Sequence, residues 1–149
     1  MNSWAGCAFP DGLLYDLTGD TWVRLEADGE VVIGMTDVAQ SRCGRLVHVG
    51  WKMPGRFVER SRPLSVIESA KWVGPMRAPL SGVVVASNQA TFAKDIAIAN
   101  RDPYGAGWFY RLRAQDSMQI EALAGATVAF EHYKKVIDET KLRCFRCED

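Results

Sequence analysis

The chain has 149 residues, 48% hydrophobic and 24% charged, with 18 Lys and Arg balanced by 18 Asp and Glu. That length suits one domain with a buried core, and the even balance supplies no net field to draw in nucleic acid or an anionic membrane. No apolar run approaches a membrane span and no basic-then-apolar signal opens the chain, so the expectation is a cytoplasmic protein without nucleic-acid or membrane partners.

Residues 1–20 mix Gly, Pro and Asp with aromatic residues and read as an irregular N-terminal arm, with Cys7 a small hydrophobe tucked beneath it. Strand signals begin at residues 21–26; Asp28-Gly29 is a hairpin turn, and residues 30–35 form the returning strand. Thr36-Asp37 offers an N-cap for a short helix that Gly44 stops, with Ala39 and Cys43 on one side and Cys43 a packed thiol. Residues 45–50 alternate again, and His48 reads as a surface residue. Met53-Pro54-Gly55 is a turn before a short strand at residues 56–59.

Two β-type runs, residues 64–67 and 82–86, then flank a connection rich in Gly, Pro and Ser. Lys71 stands where the first run ends. A long amine at the tip of a strand connection is easily reached by a partner enzyme and is a candidate anchor for a tethered cofactor; the same position also suits an ordinary surface lysine. Downstream, Asn88 caps a helical segment through Phe92 that residues 95–99 continue. Residues 100–107 are a turn-rich loop, and residues 108–113 close the β region with Trp108, Tyr110 and Leu112 on one face.

The tail reads as helical. One helix starts at Asp116-Ser117 and stops at Gly125; a second, capped by Thr127, runs to about Leu142 with Phe130, Tyr133, Ile137 and Lys141 on one stripe. The order predicts an all-β core at residues 21–113, made of strand–turn–strand units on both sides of Met53-Pro54-Gly55, with C-terminal helices at residues 114–149.

The search for independent catalysis is negative. The chain contains no Gly-x-Ser-x-Gly elbow, phosphate-binding glycine loop or His-Glu-x-x-His, and only His48 and His132 could serve a nucleophile. Cys144-Phe145-Arg146-Cys147 lacks the second half of a zinc site and follows a helix instead of opening one. It reads as an exposed dithiol, with thiol–disulfide exchange as its chemical option. In a reducing compartment no structural disulfide is expected among Cys7, Cys43, Cys144 and Cys147.

Four blocks resemble, in order and spacing, the lipoyl-carrying H protein of the glycine cleavage system. They are Trp22-Val23-Arg24; Gly34-Met35-Thr36-Asp37-Val38-Ala39-Gln40; Glu68-Ser69-Ala70-Lys71 with Ala78-Pro79-Leu80-Ser81-Gly82; and Asn100-Arg101-Asp102-Pro103-Tyr104-Gly105-Ala106-Gly107-Trp108. The resemblance implies a mainly β fold, a small lipoyl/biotinyl-type β sandwich (a flattened barrel) with a short internal helix and C-terminal helices. It implies a cofactor-bearing carrier and not an enzyme, with lipoate in amide linkage on Lys71. Glu68, Trp72, Val73 and Gly74 would be read by the lipoate-attaching enzyme and by partners, and no metal is implied.

The chain departs from the usual pattern at Asp20-Thr21, where His-Glu is common, at Arg45, and at Trp72-Val73-Gly74-Pro75. The string Glu68 to Pro75 is more similar to lipoate-binding proteins that accompany a heterodisulfide-reductase-like complex in sulfur oxidation. That likeness implies an arm carrying sulfur intermediates, with Cys144 and Cys147 as candidates to resolve an adduct and Trp72 as a shelter for the dithiolane. The alternative is a glycine cleavage H protein carrying the aminomethyl group among glycine decarboxylase, aminomethyltransferase and dihydrolipoyl dehydrogenase. A third reading is a non-lipoylated binding or scaffold module.

Overall fold

The computed structural model describes residues 1–146. The N-terminal arm is more regular than its composition predicts. Strands β1 (Asn2–Trp4) and β2 (Cys7–Phe9) form an antiparallel hairpin, and β3 (Leu14–Asp16) pairs with β4 (Thr21–Leu25). Three-residue strands are too short to display a period of two, which is why this arm reads as irregular.

β4 turns through Asp28-Gly29 into β5 (Glu30–Met35), as expected. Then follow α1 (Asp37–Cys43), β6 (Leu46–Gly50), β7 (Phe57–Val58), β8 (Pro63–Ser69) and β9 (Val73–Arg77). The chain continues through β10 (Gly82–Ser87), α2 (Gln89–Lys94), α3 (Ile98–Arg101), β11 (Tyr110–Ala114), α4 (Ser117–Glu121) and α5 (Ala126–Thr140). The main sheet has the order β3-β4-β5-β11-β10-β7 and faces a three-stranded sheet, β6-β8-β9.

This is the mainly β sandwich with an internal helix and C-terminal helices that the resemblance implies. One pairing differs from the expectation. The run at residues 64–67 does not face the run at residues 82–86 across the Lys71 connection, because the connection contains β9, which pairs with β8. β10 lies in the other sheet, between β11 and β7. Gly74 and Pro75 inside β9 made that strand read as a turn.

Strand β5 and the first part of β4 are buried on both faces. Val23, Val31 and Ile33 point into the core between the sheets, while Trp22 and Val32 point into a second core. The second core is closed by the β1–β2 hairpin and α5, where Phe9 stacks on Tyr133 at 5.1 Å between ring centroids. Helix α5 begins one residue before the expected cap: Gly125, read as a stop, is its N-cap, and Lys141 ends it in the left-handed region. Ala129, Tyr133 and Ile137 form its buried stripe, and Lys141 is exposed. Asn88 precedes α2, yet its amide donates to the carbonyls of Ala106 and Trp108 and does not cap the helix. The segment at residues 95–99 breaks away, and α3 is a separate turn.

The cysteines overturn a sequence expectation. Cys7 and Cys144 form a disulfide across 137 residues. Cys144 is therefore not one half of an exposed dithiol with Cys147, which lies outside the described residues. Long-range pairing of the two chain ends is a product of the tertiary fold, invisible to spacing. The tail beyond α5 is also held by hydrogen bonds: Cys144 N–H donates to Ala5 O at 3.0 Å, and Gln40 Nε2 donates to Phe145 O at 2.8 Å. Arg146 forks onto both oxygens of Asp37, a carboxylate 1% exposed, at 2.9 and 3.0 Å. Of Asp37's two oxygens, one also accepts from Ala8 N–H at 2.8 Å. Cys43 is a free, buried thiol, as expected. Within the described residues, no helix is long and apolar enough to cross a membrane.

Candidate functional site

Lys71 occupies the tip of the β8–β9 hairpin, between the paired residues Glu68 and Val73. Ser69 holds the tip closed. Its N–H donates to Trp72 O at 2.8 Å, and its hydroxyl donates to Cys43 O at 2.5 Å. The second bond ties the hairpin to the C-terminal end of α1, whose N-terminus Thr36 caps by accepting from Ala39 N–H at 3.2 Å. The position of the lysine is thus fixed by a helix end as well as by a strand pair.

Gly44, just past α1, has φ of 79° and lies under the Lys71 side chain; a β-carbon there would stand 2.9 Å from Lys71 Cε. The positive φ favours glycine, while the lysine side chain itself could move aside. Asn100 braces the same corner from below. This residue is 1% exposed; its amide nitrogen donates to Gly44 O at 2.9 Å, and its amide oxygen accepts from Leu46 N–H at 3.0 Å.

Beside the lysine runs a groove of about 240 Å³. Ile67, Trp72 and Met76 of the hairpin line it together with Met35, Ala39 and Cys43, and the ion pair of Arg42 with Asp20, at 3.2 Å, supplies its polar part. Burial pushes the Cys43 thiol pKa up, against the opposing influence of Ser69 and Lys71. Burial likewise raises Asp20, although a hydrogen bond from Tyr133 and the charge of Arg42 pull the other way.

Of the residues singled out in the sequence, Glu68, Trp72, Val73 and Gly74 surround Lys71. Glu68 is half-buried between His48 and Val73 across the sheet, and Val73 is exposed. Trp72 lies over Gly74 and lines the groove. Cys144 is not brought here; it packs in the second core. The pairing of Asp20 with Arg42, 22 residues apart, and the brace at Asn100 carried no local sequence signal.

The comparisons with known proteins bear on this arrangement. Residues 13–139 match the model of the glycine cleavage H-protein family. The chain belongs to that family.

Among its relatives, a probable glycine cleavage system H protein 2 of Sulfolobus acidocaldarius is 38% identical over 146 residues, covering 97% of each chain. Glycine cleavage system H protein 3 of Aquifex aeolicus is also 38% identical, over 95% of this chain and 90% of that one. The crystal structure of a glycine cleavage system H protein from Mycobacterium marinum superposes with a TM-score of 0.71 at 30% identity, over 83% of this chain and 98% of that one. Glycine cleavage H proteins are carriers with lipoate covalently attached to a lysine, used by partner enzymes.

The site fits such a group. A lysine at an exposed two-residue tip is open to acylation, and an apolar groove beside it is of a size to receive a small ring.

Proposed function

We propose that Lys71 is the lipoyl attachment residue and that the chain serves as the carrier of a glycine cleavage-type system, taking the aminomethyl group from glycine decarboxylase and passing it to aminomethyltransferase. Dihydrolipoyl dehydrogenase would then reoxidise the arm. The observation that carries this reading is the place of Lys71: an exposed amine at a tip pinned by Ser69 to α1, with the apolar groove alongside.

When bound, lipoate supplies a cyclic disulfide that accepts and releases a group together with two electrons. The protein's own residues bind and orient. Ser69 and Gly44 set where the arm leaves the surface, while Trp72, Ile67 and Met76 offer an apolar wall that excludes water from its end. Glu68, Val73 and Gly74 form the face that a lipoate-attaching enzyme meets.

A second reading, a carrier of sulfur intermediates for a heterodisulfide-reductase-like complex, draws support from Trp72-Val73-Gly74-Pro75 beside the lysine. Relatives numbered 2, 3 and 5 in Aquifex aeolicus also leave room for more than one task among H proteins of one organism. Cys144 takes no part in either reading, since its sulfur is bonded to Cys7.

Intact mass after exposure to a lipoate ligase and lipoate should show one lipoyl addition, absent in Lys71→Arg. Failure of the wild-type chain to gain it would return the chain to a scaffold role. Glycine–bicarbonate exchange with glycine decarboxylase then separates the pathways. Robust exchange supports the first reading; no exchange, with turnover by the sulfur-oxidising complex, supports the second.

A further inference from the structure

The chain is neutral as a whole, but its charges are not evenly spread. Residues 1–37 hold seven acidic residues and one basic, whereas residues 42–77 hold eight basic and two acidic. The structure leaves the basic segment the less compensated of the two. Acidic residues of the first segment are met by cations from elsewhere: Glu26 and Glu30 by Arg111, Glu30 also by Arg113, and Asp37 by Arg146. Three cations of the second segment lie at the base of the lysine-bearing hairpin. Arg60, Arg62 and Arg77 are all exposed, and none has a carboxylate partner among the described residues.

Their placement follows the hairpin. Arg77 ends β9, opposite Pro63 at the start of β8, and its guanidinium donates to Ser61 O at 3.0 Å. Arg62 and Arg60 immediately precede that strand. At about 3.3 Å per residue, this cluster lies roughly 20 Å from Lys71 along β9. Between the two ends the outer face of the hairpin is largely apolar, with Val66 51% exposed and Val73 64%, and is broken by the half-buried Glu68 opposite Val73. An apolar centre with charged margins, about as long as one side of a standard protein interface, is the anatomy of a docking surface.

We propose that this sheet is a cationic docking face for an enzyme whose active-site mouth is ringed by Asp and Glu. The inference rests on the lipoyl-carrier reading, because an enzyme that acts on Lys71 or its arm must cover the hairpin. Arginines at the base of the hairpin steer the encounter and fix its register, and Val66 and Val73 supply the dehydrated centre. With no net charge on the carrier, it is the arginines without carboxylate partners that orient it.

The test is lipoylation of the apo chain by its source organism's own lipoate-attaching enzyme, read as KM for the carrier and kcat. In R60E/R62E/R77E, KM should rise about tenfold or more at low salt with kcat unchanged, and the gap should narrow as salt is added. K94E/K135E, on other elements, should behave as wild type. If circular dichroism shows the reversed variant unfolded, R60Q/R62Q takes its place, with a smaller rise in KM.

Lipoylation of every variant with the wild-type KM overturns the docking face and leaves the carrier reading standing. No lipoylation of the wild-type chain removes both. Binding of a labelled oligonucleotide, or self-association in sedimentation, that disappears in the reversed variant would give the face to nucleic acid or to a second copy and overturn the proposal.

Discussion

The indole of Trp72 lies across the α-carbon of Gly74, so close that a β-carbon at position 74 would fall 2.3 Å from the ring. Trp72, immediately before β9, and Gly74 within it lie two residues apart on one side of the chain, and the ring also lines the groove. Gly74→Ala should therefore displace the indole. Because Trp72 is 42% exposed, the ring can swing into water, and the stability cost should stay near 1 kcal/mol. The readout is the contribution of Trp72 to fluorescence, isolated by comparison with Trp72→Phe. It should shift to longer wavelength in Gly74→Ala, and an unchanged spectrum would count against the stacking.

The Cys7–Cys144 bond closes a long loop, and such crosslinks stabilise chiefly by restricting the unfolded chain. Reduction, or Cys144→Ser, should cost about 3–5 kcal/mol in urea unfolding. A midpoint that does not move with reductant would show that the bond contributes nothing.

Asn100 is the buried brace beneath Gly44 and Leu46. Asn100→Ala leaves Leu46 N–H and Gly44 O unsatisfied at the corner that supports the lysine, at a cost of about 2–3 kcal/mol. Hydrogen exchange should quicken at Leu46. Exchange that stays at the wild-type rate would refute the brace.

Asp20 gives a pH signature. Its folded-state pKa is raised above the ordinary 3.8 by burial, more than Tyr133 and Arg42 lower it. The native state therefore holds this proton more tightly than the unfolded chain does. The associated stability is fully present below the unfolded pKa and is lost as pH rises through the folded one. Asn keeps the side-chain shape and tolerates the left-handed backbone at this position, φ 57°. The stability of wild type relative to Asp20→Asn should fall as pH climbs from below 3.8 into the range above it. A difference that rises with pH would contradict the burial effect.

Much of this fold is legible in the sequence because its signals are local. The Asp28-Gly29 turn, the Thr36 cap and the Gly44 stop each act within a few residues, and each is found where expected. β9 was hidden because Gly74 and Pro75 resemble turn chemistry, although Gly74 serves the Trp72 ring and Pro75 sits on the sheet's outermost strand. The Cys7–Cys144 bond, the Arg42–Asp20 pair and the clamp of Arg146 on Asp37 join distant segments. No periodicity encodes them. At the candidate site, the ordered blocks around Lys71 carried the reading, while the groove and the brace at Asn100 emerged only from the packing.

The bond between Cys7 and Cys144 also makes residues 7–144 a covalent ring. A single cut in the exposed Met53-Pro54-Gly55 turn would leave both fragments tied together, running as one species on a denaturing gel until a reductant is added. The lysine hairpin, which begins at Pro63, would still be closed on both sides by continuous chain.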